Sequence, residues 1–399
     1  MRFSDLKKIK AAAESDSRAA QPRREAPPAV TAPAPVPAPA PAPEPPPARE
    51  AAPEAVPPPR FAAEPARQTA PRPQPLPQVP FHESEAKAKE IYSRLMGQAI
   101  SFLKAVDQPY CEKYESVLAA TALAAETLKN NPAFLGCTVY STADDYLRGH
   151  TLNTFILALA MGLEGGLDGR ELGLLGFCAM AHDAGMTEYA PIYNKAGRLD
   201  DGDFSEMSLH AEAGAAKLDR IVDLDHRVKE RARRIILQTH ERADGSGYPD
   251  RATGEELDPL AQIISIADAY EAMTHPRAWR DAIDPPAAVK ELIEKEGRGF
   301  NASAVKMLIA VISIYPPGSL VRLSTGETAR VIKVNRGLLS RPVVEIALAP
   351  DHSEAAPQLA DLREQPLVSI DRGLSFAELE QTNPAYAGKL ELSRWWTDW

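Results

Sequence analysis

Residues 172–183 read LGLLGFCAMAHD, and this stretch decides how the middle of the chain folds. Its apolar positions recur at intervals of three and four residues, which predicts an α-helix with one face turned into a core. That face consists of Leu172, Leu175, Ala179 and His182. The helix is expected over 168–182 and ends in an adjacent histidine and aspartate, His182 and Asp183. Because a buried imidazole or carboxylate is costly without a partner, hydrogen bonds or a cation must compensate this pair.

Similar periodicity on both sides of this stretch predicts an all-α domain with short connections. The other helices are expected at 83–106, 112–128, 144–161, 203–218, 225–241, 259–274, 286–294 and 301–314. The helix over 225–241 repeats the pattern of the first, with an apolar face that consists of Val228, Ala232, Ile236 and His240. The centre of the chain is therefore expected to be a helical bundle.

The composition changes on either side of the predicted bundle. Residues 1–20 form a short N-terminal segment, and 21–82 contain Pro-Ala repeats such as APAPVPAPAPAPEPPPAR. Proline fixes φ and removes a hydrogen-bond donor, so this tract is interpreted as a disordered linker rather than part of a core. It is followed by an N-terminal helical region over 83–135. The fold class is thus mainly α, with a Pro-rich N-terminal linker.

Beyond Tyr315 the pattern changes from helical periodicity to short alternating runs. SLVRLS, ARVIKV and PVVEIAL, separated by turn residues, predict a small β extension and tail over 316–399. The tryptophans near the end of the chain are expected to pack back onto this unit. They are Trp395, Trp396 and Trp399.

Charge and cysteine content exclude several classes of protein. A formal net charge of −10 argues against coating of polymeric nucleic acid and against binding to anionic membranes, which both require surplus lysine and arginine. Three cysteines without a short paired spacing indicate neither a disulfide framework nor a zinc knuckle. With no signal-peptide pattern and no long apolar run, a cytoplasmic protein is expected.

Histidines and aspartates recur at the ends or centres of the predicted helices, roughly 30 residues apart, about one helix and one loop. The set comprises His150, His182, Asp183, His210, His240 and Asp268. A bundle can direct such side chains at one interior point, and imidazole with carboxylate suits one or two divalent ions such as Mn or Fe. Asp183 has two carboxylate oxygens and can bridge two metals. A hydroxide generated from water between these metals is expected to attack the phosphorus atom in line with the leaving oxygen.

Four sequence blocks occur in a characteristic order. They are His150, AHDAG at 181–185, HERADGSGYP at 240–249 and IADAYEAMT at 266–274. Together they resemble the HD-GYP subgroup of the HD phosphohydrolase superfamily, with a domain over 136–315. The resemblance implies an HD-type bundle and a metal-dependent phosphodiesterase that hydrolyses cyclic di-GMP or a related cyclic dinucleotide.

The resemblance also implies roles for individual residues. It assigns His150, His182, Asp183 and Asp268 to a first metal site, and Asp183, His210 and His240 to a second. His182 and Asp183 are the expected catalytic residues. Base and phosphate contacts are implied for Tyr248, Arg277 and Arg280, because the guanidinium fork meets phosphate oxygens bidentately. The Gly-Ser-Gly-Tyr-Pro loop is either a structural turn or, as in the family, a docking point for diguanylate-cyclase domains.

Three positions depart from the family pattern and leave two alternatives open. Thr239 replaces the first histidine of a His-His-Glu block, Met186 replaces a lysine, and Tyr146 occupies the place of a glutamate that binds a third metal. Tyr146 argues against a third metal. Thr239 and Met186 favour the first alternative, a catalytically weak or inactive receptor for cyclic dinucleotides, whereas the complete first metal site favours an enzyme. The second alternative is an HD hydrolase that acts on another phosphorylated metabolite.

Overall fold

The structure is a computed structural model that describes residues 81–142, 145–195, 197–294 and 299–396. The predicted N-terminal segment 1–20 and the linker 21–82, except its last two residues, lie outside the described residues. Within the described ranges, no helix combines the length and the apolar character needed to cross a lipid bilayer.

The region before residue 315 is helical, as predicted from its periodicity. Its α-helices are α1 (Phe81–Ala105), α2 (Tyr114–Asn130), α3 (Tyr146–Glu164), α4 (Gly169–Ala181), α5 (Ala190–Tyr193), α6 (Asp201–Met207), α7 (His210–Lys217), α8 (His226–Gln238), α9 (Pro259–Thr274), α10 (Pro285–Glu294) and α11 (Ala302–Ile312). Short 3-10 helices occur at Phe134–Val139, Ala184–Tyr189 and Leu218–Arg220.

Helix α3 is the centre of the bundle. It is apolar on all sides and buried over most of its length, which is typical of a helix surrounded by others. Asp145 caps its N-terminus by accepting a hydrogen bond from the backbone N–H of Leu147. Helices α1, α2, α4, α9 and α11 pack around it. His150, in the first turns of α3, is therefore held inside the core.

Two predicted helices differ from the structure. The single helix expected over 203–218 is two helices, α6 and α7, interrupted at Ser208 and Leu209, where a turn replaces the helical hydrogen-bond ladder. The helix expected over 225–241 ends at Gln238, so His240 lies beyond its end and not on the apolar face of Ile236. In both places the regular ladder ends next to a histidine of the predicted cluster.

The C-terminal region contains a five-stranded antiparallel sheet, which confirms the predicted fold class. Its strands are β2 (Leu320–Leu323), β3 (Thr328–Lys333), β4 (Val343–Leu348), β5 (Glu354–Asp361) and β6 (Ile370–Leu374), in the order β5-β4-β3-β2-β6. The register pairs Leu320 with Arg330 and Val331 with Val344. Only the three inner strands were predicted, because β5 and β6 are edge strands with a single buried residue, Ala360, and no clear alternation of apolar and polar residues.

Two helices follow the sheet, α12 (Phe376–Thr382) and α13 (Pro384–Ser393), and their buried leucines Leu379 and Leu390 pack against the sheet. The predicted packing of the tail onto the β unit is confirmed for α13, and Trp395 lines a cavity together with residues of β2 and β3. Strand β7 (Trp395–Trp396) pairs in parallel with β1 (Ser141–Thr142), where the Ser141 N–H donates to the Arg394 carbonyl at 2.9 Å. Trp399 lies outside the described residues.

Candidate metal centre

The fold brings together the side chains of all six residues predicted as metal ligands. His150 lies on α3, the pair His182 and Asp183 follows α4, His210 begins α7, His240 follows α8, and Asp268 lies in the middle of α9. None of the six is more than 8% exposed. Five separate segments of the chain thus converge on one buried point.

Asp183 is common to two groups of potential ligands. The first consists of His150, His182 and Asp183, and the second of Asp183, His210 and His240; within each group the ligand atoms lie within 4.8 Å of one another. The Asp183 Oδ2 atom lies 3.2 Å from His150 Nε2, and its Oδ1 atom lies 3.2 Å from His210 Nε2. The Oδ1 atom also lies 3.6 Å from His182 Nε2 and 3.5 Å from His240 Nε2, so this one carboxylate contacts histidines of both groups.

Asp268 closes the cluster on the side of α9. Its Oδ1 atom lies 3.2 Å from His150 Nε2, and its Oδ2 atom lies 3.7 Å from His240 Nδ1. The Nε2 atoms of His210 and His240 are 2.8 Å apart. Asp268 thus contacts one histidine of each group.

Backbone carbonyls fix the orientation of two histidines. His182 Nδ1 donates to the Ala179 carbonyl at 2.8 Å, and His210 Nδ1 donates to the Met207 carbonyl at 2.7 Å. A proton on Nδ1 leaves the Nε2 lone pair free and directed into the cluster, which is the arrangement found in histidine ligands of metals. The break between α6 and α7 places the Met207 carbonyl next to the His210 ring.

Glu271 is a member of the site that the sequence analysis missed. Its Oε2 atom is hydrogen-bonded to His150 Nδ1, and its Oε1 atom accepts from Asn153 Nδ2 at 3.2 Å. Asn153 in turn accepts from the Tyr92 hydroxyl at 2.8 Å. A carboxylate behind a histidine orients the ring and raises its basicity toward a metal. Its position three residues after Asp268, on an apolar helix, was the signal available in the sequence.

The carboxylates of the cluster remain ionised at neutral pH. Burial alone would raise the pKa of Asp183, but the neighbouring imidazoles, His182 first among them, hold it well below its usual value. The pKa of Asp268 is lowered to about 2 in spite of burial, chiefly by the hydrogen bond with His150. The pKa of Glu271 is also lowered against the effect of burial, by His275 and His150.

These side chains fit a divalent cation. Three ionised carboxylates in a buried cluster require positive charge, and the donors are the nitrogen and oxygen atoms that Mn, Fe and Zn accept. Asp183 Oδ1 is a buried oxygen with no hydrogen-bond partner in the part of the chain that the structure describes. Buried histidine and aspartate groups of this kind are suited to holding a metal ion.

Two glycines allow the backbone to approach closely at the site. A Cβ atom at Gly185 would lie 2.0 Å from the His210 carbonyl oxygen, so only glycine lets the turn after Asp183 touch α7. A Cβ atom at Gly247 would lie 2.4 Å from the Cα atom of Glu241. The glycines of AHDAG and of the Gly-Ser-Gly-Tyr-Pro loop thus have a packing role.

The three residues predicted to bind substrate differ in their placement. The Tyr248 ring stacks on the His240 imidazole, with centroids 5.1 Å apart and an angle of 7°. Arg277 Nη2 lies 3.8 Å from Glu271 Oε2, above the first group. Arg280 lies apart from the cluster, because its Nη2 atom donates to the Ala272 carbonyl and its guanidinium lies over the Trp279 ring. The structure therefore brings Tyr248 and Arg277, but not Arg280, to the cluster.

The structure gives a physical context to the three departures from the family pattern. The Thr239 hydroxyl donates to the Ile236 carbonyl at 2.8 Å and so continues the helical turn. Met186 is buried in an apolar cluster with Leu103, Leu147 and Tyr193. The Tyr146 ring lies 4.0 Å below the Arg277 guanidinium. Tyr146 stands where the family pattern has a glutamate for a third metal. Its ring contacts the Arg277 guanidinium instead of offering a carboxylate.

The burial of Met186 predicts the outcome of restoring lysine. We expect Met186→Lys to lower the free energy of unfolding by about 2 kcal/mol or more, because the ammonium group replaces a thioether among apolar side chains. Urea denaturation followed by circular dichroism measures the change. A variant as stable as the parent would show that position 186 has access to solvent or to the metal site.

Comparison with known families agrees with this geometry. Residues 140–303 match the model described as HD domain, and residues 320–382 match a KOW domain associated with HD domain. Residues 140–303 are therefore similar to the HD domain family. The region that matches the HD domain contains every residue of the buried cluster, and the KOW match coincides with the sheet and α12. The predicted family resemblance is confirmed at this level.

Several characterised proteins are similar to the chain. The cyclic di-GMP phosphodiesterase PA4108 of Pseudomonas aeruginosa is 30% identical over 268 residues, which cover 66% of this chain and 60% of that protein. The 3'3'-cGAMP-specific phosphodiesterase 2 of Vibrio cholerae is 30% identical over 145 residues, 36% of this chain and 27% of that protein. Bd1817, an HDG"Y"P protein from Bdellovibrio bacteriovorus, aligns at 20% identity and a TM-score of 0.47, over 56% of this chain and 71% of that one. The chain therefore spans less than two thirds of the length of either phosphodiesterase.

Proposed function

We propose that this protein is a metal-dependent phosphodiesterase that hydrolyses cyclic di-GMP or a related cyclic dinucleotide. The observation that carries the proposal is the pair of buried ligand groups that share Asp183. The names of the relatives support the substrate class, since two of them act on cyclic di-GMP and on 3'3'-cGAMP. The HD domain supports the metal dependence.

We assign the six converging residues to two metals, with Fe or Mn as the preferred ions. The first is held by His150, His182, Asp183 and Asp268, and the second by Asp183, His210 and His240. When bound, such ions supply Lewis acidity to phosphoryl oxygens and lower the pKa of water near them. His182 and Asp183 are the catalytic residues in this assignment, because Asp183 belongs to both groups and His182 lies beside it, with Nε2 3.6 Å from Asp183 Oδ1. The carbonyls of Ala179 and Met207 hold His182 and His210 in the required orientation.

Substrate contacts are assigned to the rim of the cluster. Arg277, held over the Tyr146 ring, binds a phosphate of the dinucleotide with its planar fork. Tyr248, stacked on His240, offers an aromatic surface for a base. Arg280 reaches substrate only if it releases the Ala272 carbonyl. Docking of a diguanylate-cyclase domain to the loop around Tyr248, and a cytoplasmic location, stay predictions.

A receptor without strong catalysis is the second candidate function. Thr239 uses its hydroxyl within the helical turn, and Met186 places no cation beside the cluster. Both observations favour slow turnover. The complete set of four ligands assigned to the first metal favours hydrolysis, since a receptor has no need for it.

Hydrolysis of cyclic di-GMP by metal-reconstituted protein tests the proposal directly. The protein is loaded with Mn or Fe, incubated with cyclic di-GMP or 3'3'-cGAMP, and the products are separated by chromatography. We expect conversion to linear dinucleotide or mononucleotide. Binding without turnover selects the receptor, and loss of both redirects the assignment to another phosphorylated metabolite.

The second metal position is tested by the variant Thr239→His. An additional imidazole next to His240 is expected to raise the manganese content of the protein and its rate of hydrolysis. Thr382→His, at an exposed position of α12, is the matched control and is expected to change neither. Manganese content is measured by mass spectrometry after dialysis. An unchanged manganese content in Thr239→His counts against the assignment of the second group.

A further inference from the structure

A cavity of about 630 Å³ lies between the helical region and the C-terminal sheet. Its walls come from α1, the 3-10 helix Phe134–Val139, the end of α9, strands β2 and β3, and the segment that leads into β7. Cavities of about 300–1,000 Å³ at the boundary between structural units are typical of small-molecule binding sites. The size and position therefore indicate a ligand site.

The cavity is separate from the metal centre. None of the six converging residues lines it. His275 connects the cavity wall with the surroundings of the metal centre. It lines the cavity, and its Nδ1 donates to the Glu271 carbonyl at 2.9 Å. Glu271 therefore lies between the cavity wall and His150. A molecule in the cavity would not contact the metal ligands.

The wall is mainly apolar, and among the residues that the structure describes one of its cations has no acidic side chain at ion-pair distance. Lys89 pairs with Glu85 at 3.1 Å, and Arg330 pairs with Glu345 at 3.0 Å. Arg394 donates to the Thr274 carbonyl at 3.3 Å, and no carboxylate oxygen of the described ranges lies within 4.0 Å of it. An arginine at an apolar wall without a carboxylate partner favours an acidic group on the ligand.

Asp284 is a second acidic residue of the wall. No lysine or arginine nitrogen of the described residues lies within 4.0 Å of its carboxylate oxygens. Its Oδ1 atom accepts a hydrogen bond from the Phe376 N–H at 3.2 Å, which ties it to the start of α12. Burial raises the pKa of this carboxyl group. Arg394 acts against this rise, so Asp284 and Arg394 place one negative and one positive charge at the same wall.

We infer that this cavity binds a small amphipathic anion, with an apolar body the size of two aromatic rings and one acidic group that meets Arg394. The inference goes beyond the proposed function, because it concerns a second ligand at a second place. It depends on the apolar wall and on the charge of Arg394, and it does not require a metal.

Two dyes with nearly the same ring system test the chemistry of the site. The probes are 8-anilinonaphthalene-1-sulfonate and the uncharged N-phenyl-1-naphthylamine, titrated into the full chain and followed by fluorescence. Both are expected to bind, the sulfonate about tenfold more tightly, since it gains a charge-assisted contact. Failure of both dyes to bind overturns the inference.

Glycine variants test the location. Gly136 lines the cavity, and a Cβ atom there lies 3.5 Å from the Ile332 carbonyl, an ordinary contact. Gly136→Leu therefore fills part of the cavity and is expected to weaken the binding of both dyes at least tenfold. Gly97→Leu is the matched control, because a Cβ atom at this exposed position meets nothing within 4 Å. Equal dye binding by the two variants overturns the location.

Arginine variants test the proposed contact between Arg394 and the acidic group of the ligand. They do not place a larger side chain in the cavity. Arg394→Gln is expected to weaken the sulfonate dye about tenfold and to leave the neutral dye unchanged. Arg363→Gln removes an exposed guanidinium of the sheet region and is expected to change neither. If Arg277→Gln, but not Arg394→Gln, abolishes binding of the sulfonate, the dye occupies the metal centre and the inference is wrong.

Discussion

Asp183→Ala is expected to abolish metal binding in both groups and to reduce hydrolysis of cyclic dinucleotide by at least about a thousandfold. The reason is geometric, because Asp183 is the residue that both ligand groups share. Removing it deletes an oxygen from each group and leaves Asp268 as the only carboxylate among the six assigned ligands. Manganese content after dialysis and the rate of product formation measure the two effects.

A matched control separates this effect from general damage. Asp371→Ala removes an exposed aspartate of β6 and is expected to leave manganese content and rate unchanged. Circular dichroism checks that both variants fold. If Asp183→Ala binds as much manganese as the parent protein, the bridging role assigned to this carboxylate is wrong.

Glu271→Gln is expected to weaken manganese binding by about 10- to 100-fold, although Glu271 is not proposed as a ligand. The amide keeps the size of the side chain but removes the negative charge that holds and polarises His150 through Nδ1. A neutral amide accepts more weakly than a carboxylate, so the His150 ring loses orientation and basicity.

Calorimetric titration with manganese measures this change in affinity. Glu380→Gln, at an exposed position of α12, is the matched control and is expected to bind manganese as the parent does. An affinity within twofold of the parent would mean that His150 is held by other contacts. In that case His150 would depend on packing within α3 rather than on the carboxylate behind it.

The sequence predicted the bundle well because apolar periodicity is a local property. His182 and Asp183 follow a helix whose boundaries were expected nearly as found, and the regular spacing of the other histidines indicated convergence. Glu271 was missed because its role depends on a ring that is 121 residues away in the chain. A single carboxylate on a buried helix indicates a partner but does not identify it.

Other differences between expectation and structure arise from tertiary contacts. The break between α6 and α7 has no glycine or proline to mark it in the sequence, yet it places the Met207 carbonyl beside His210. Strands β5 and β6 form the edges of the sheet and are largely exposed, so their sequences lack the alternation of inner strands. The pairing of β7 with β1 joins residues more than 250 positions apart, which no local pattern encodes.

Anomalous diffraction from crystals of manganese-loaded protein tests the central claim most directly. The account predicts a strong anomalous peak among the side chains of His150, His182 and Asp183, and a second, weaker peak among Asp183, His210 and His240. Loaded crystals with no peak within coordination distance of Asp183, and with manganese bound elsewhere on the chain, would contradict it.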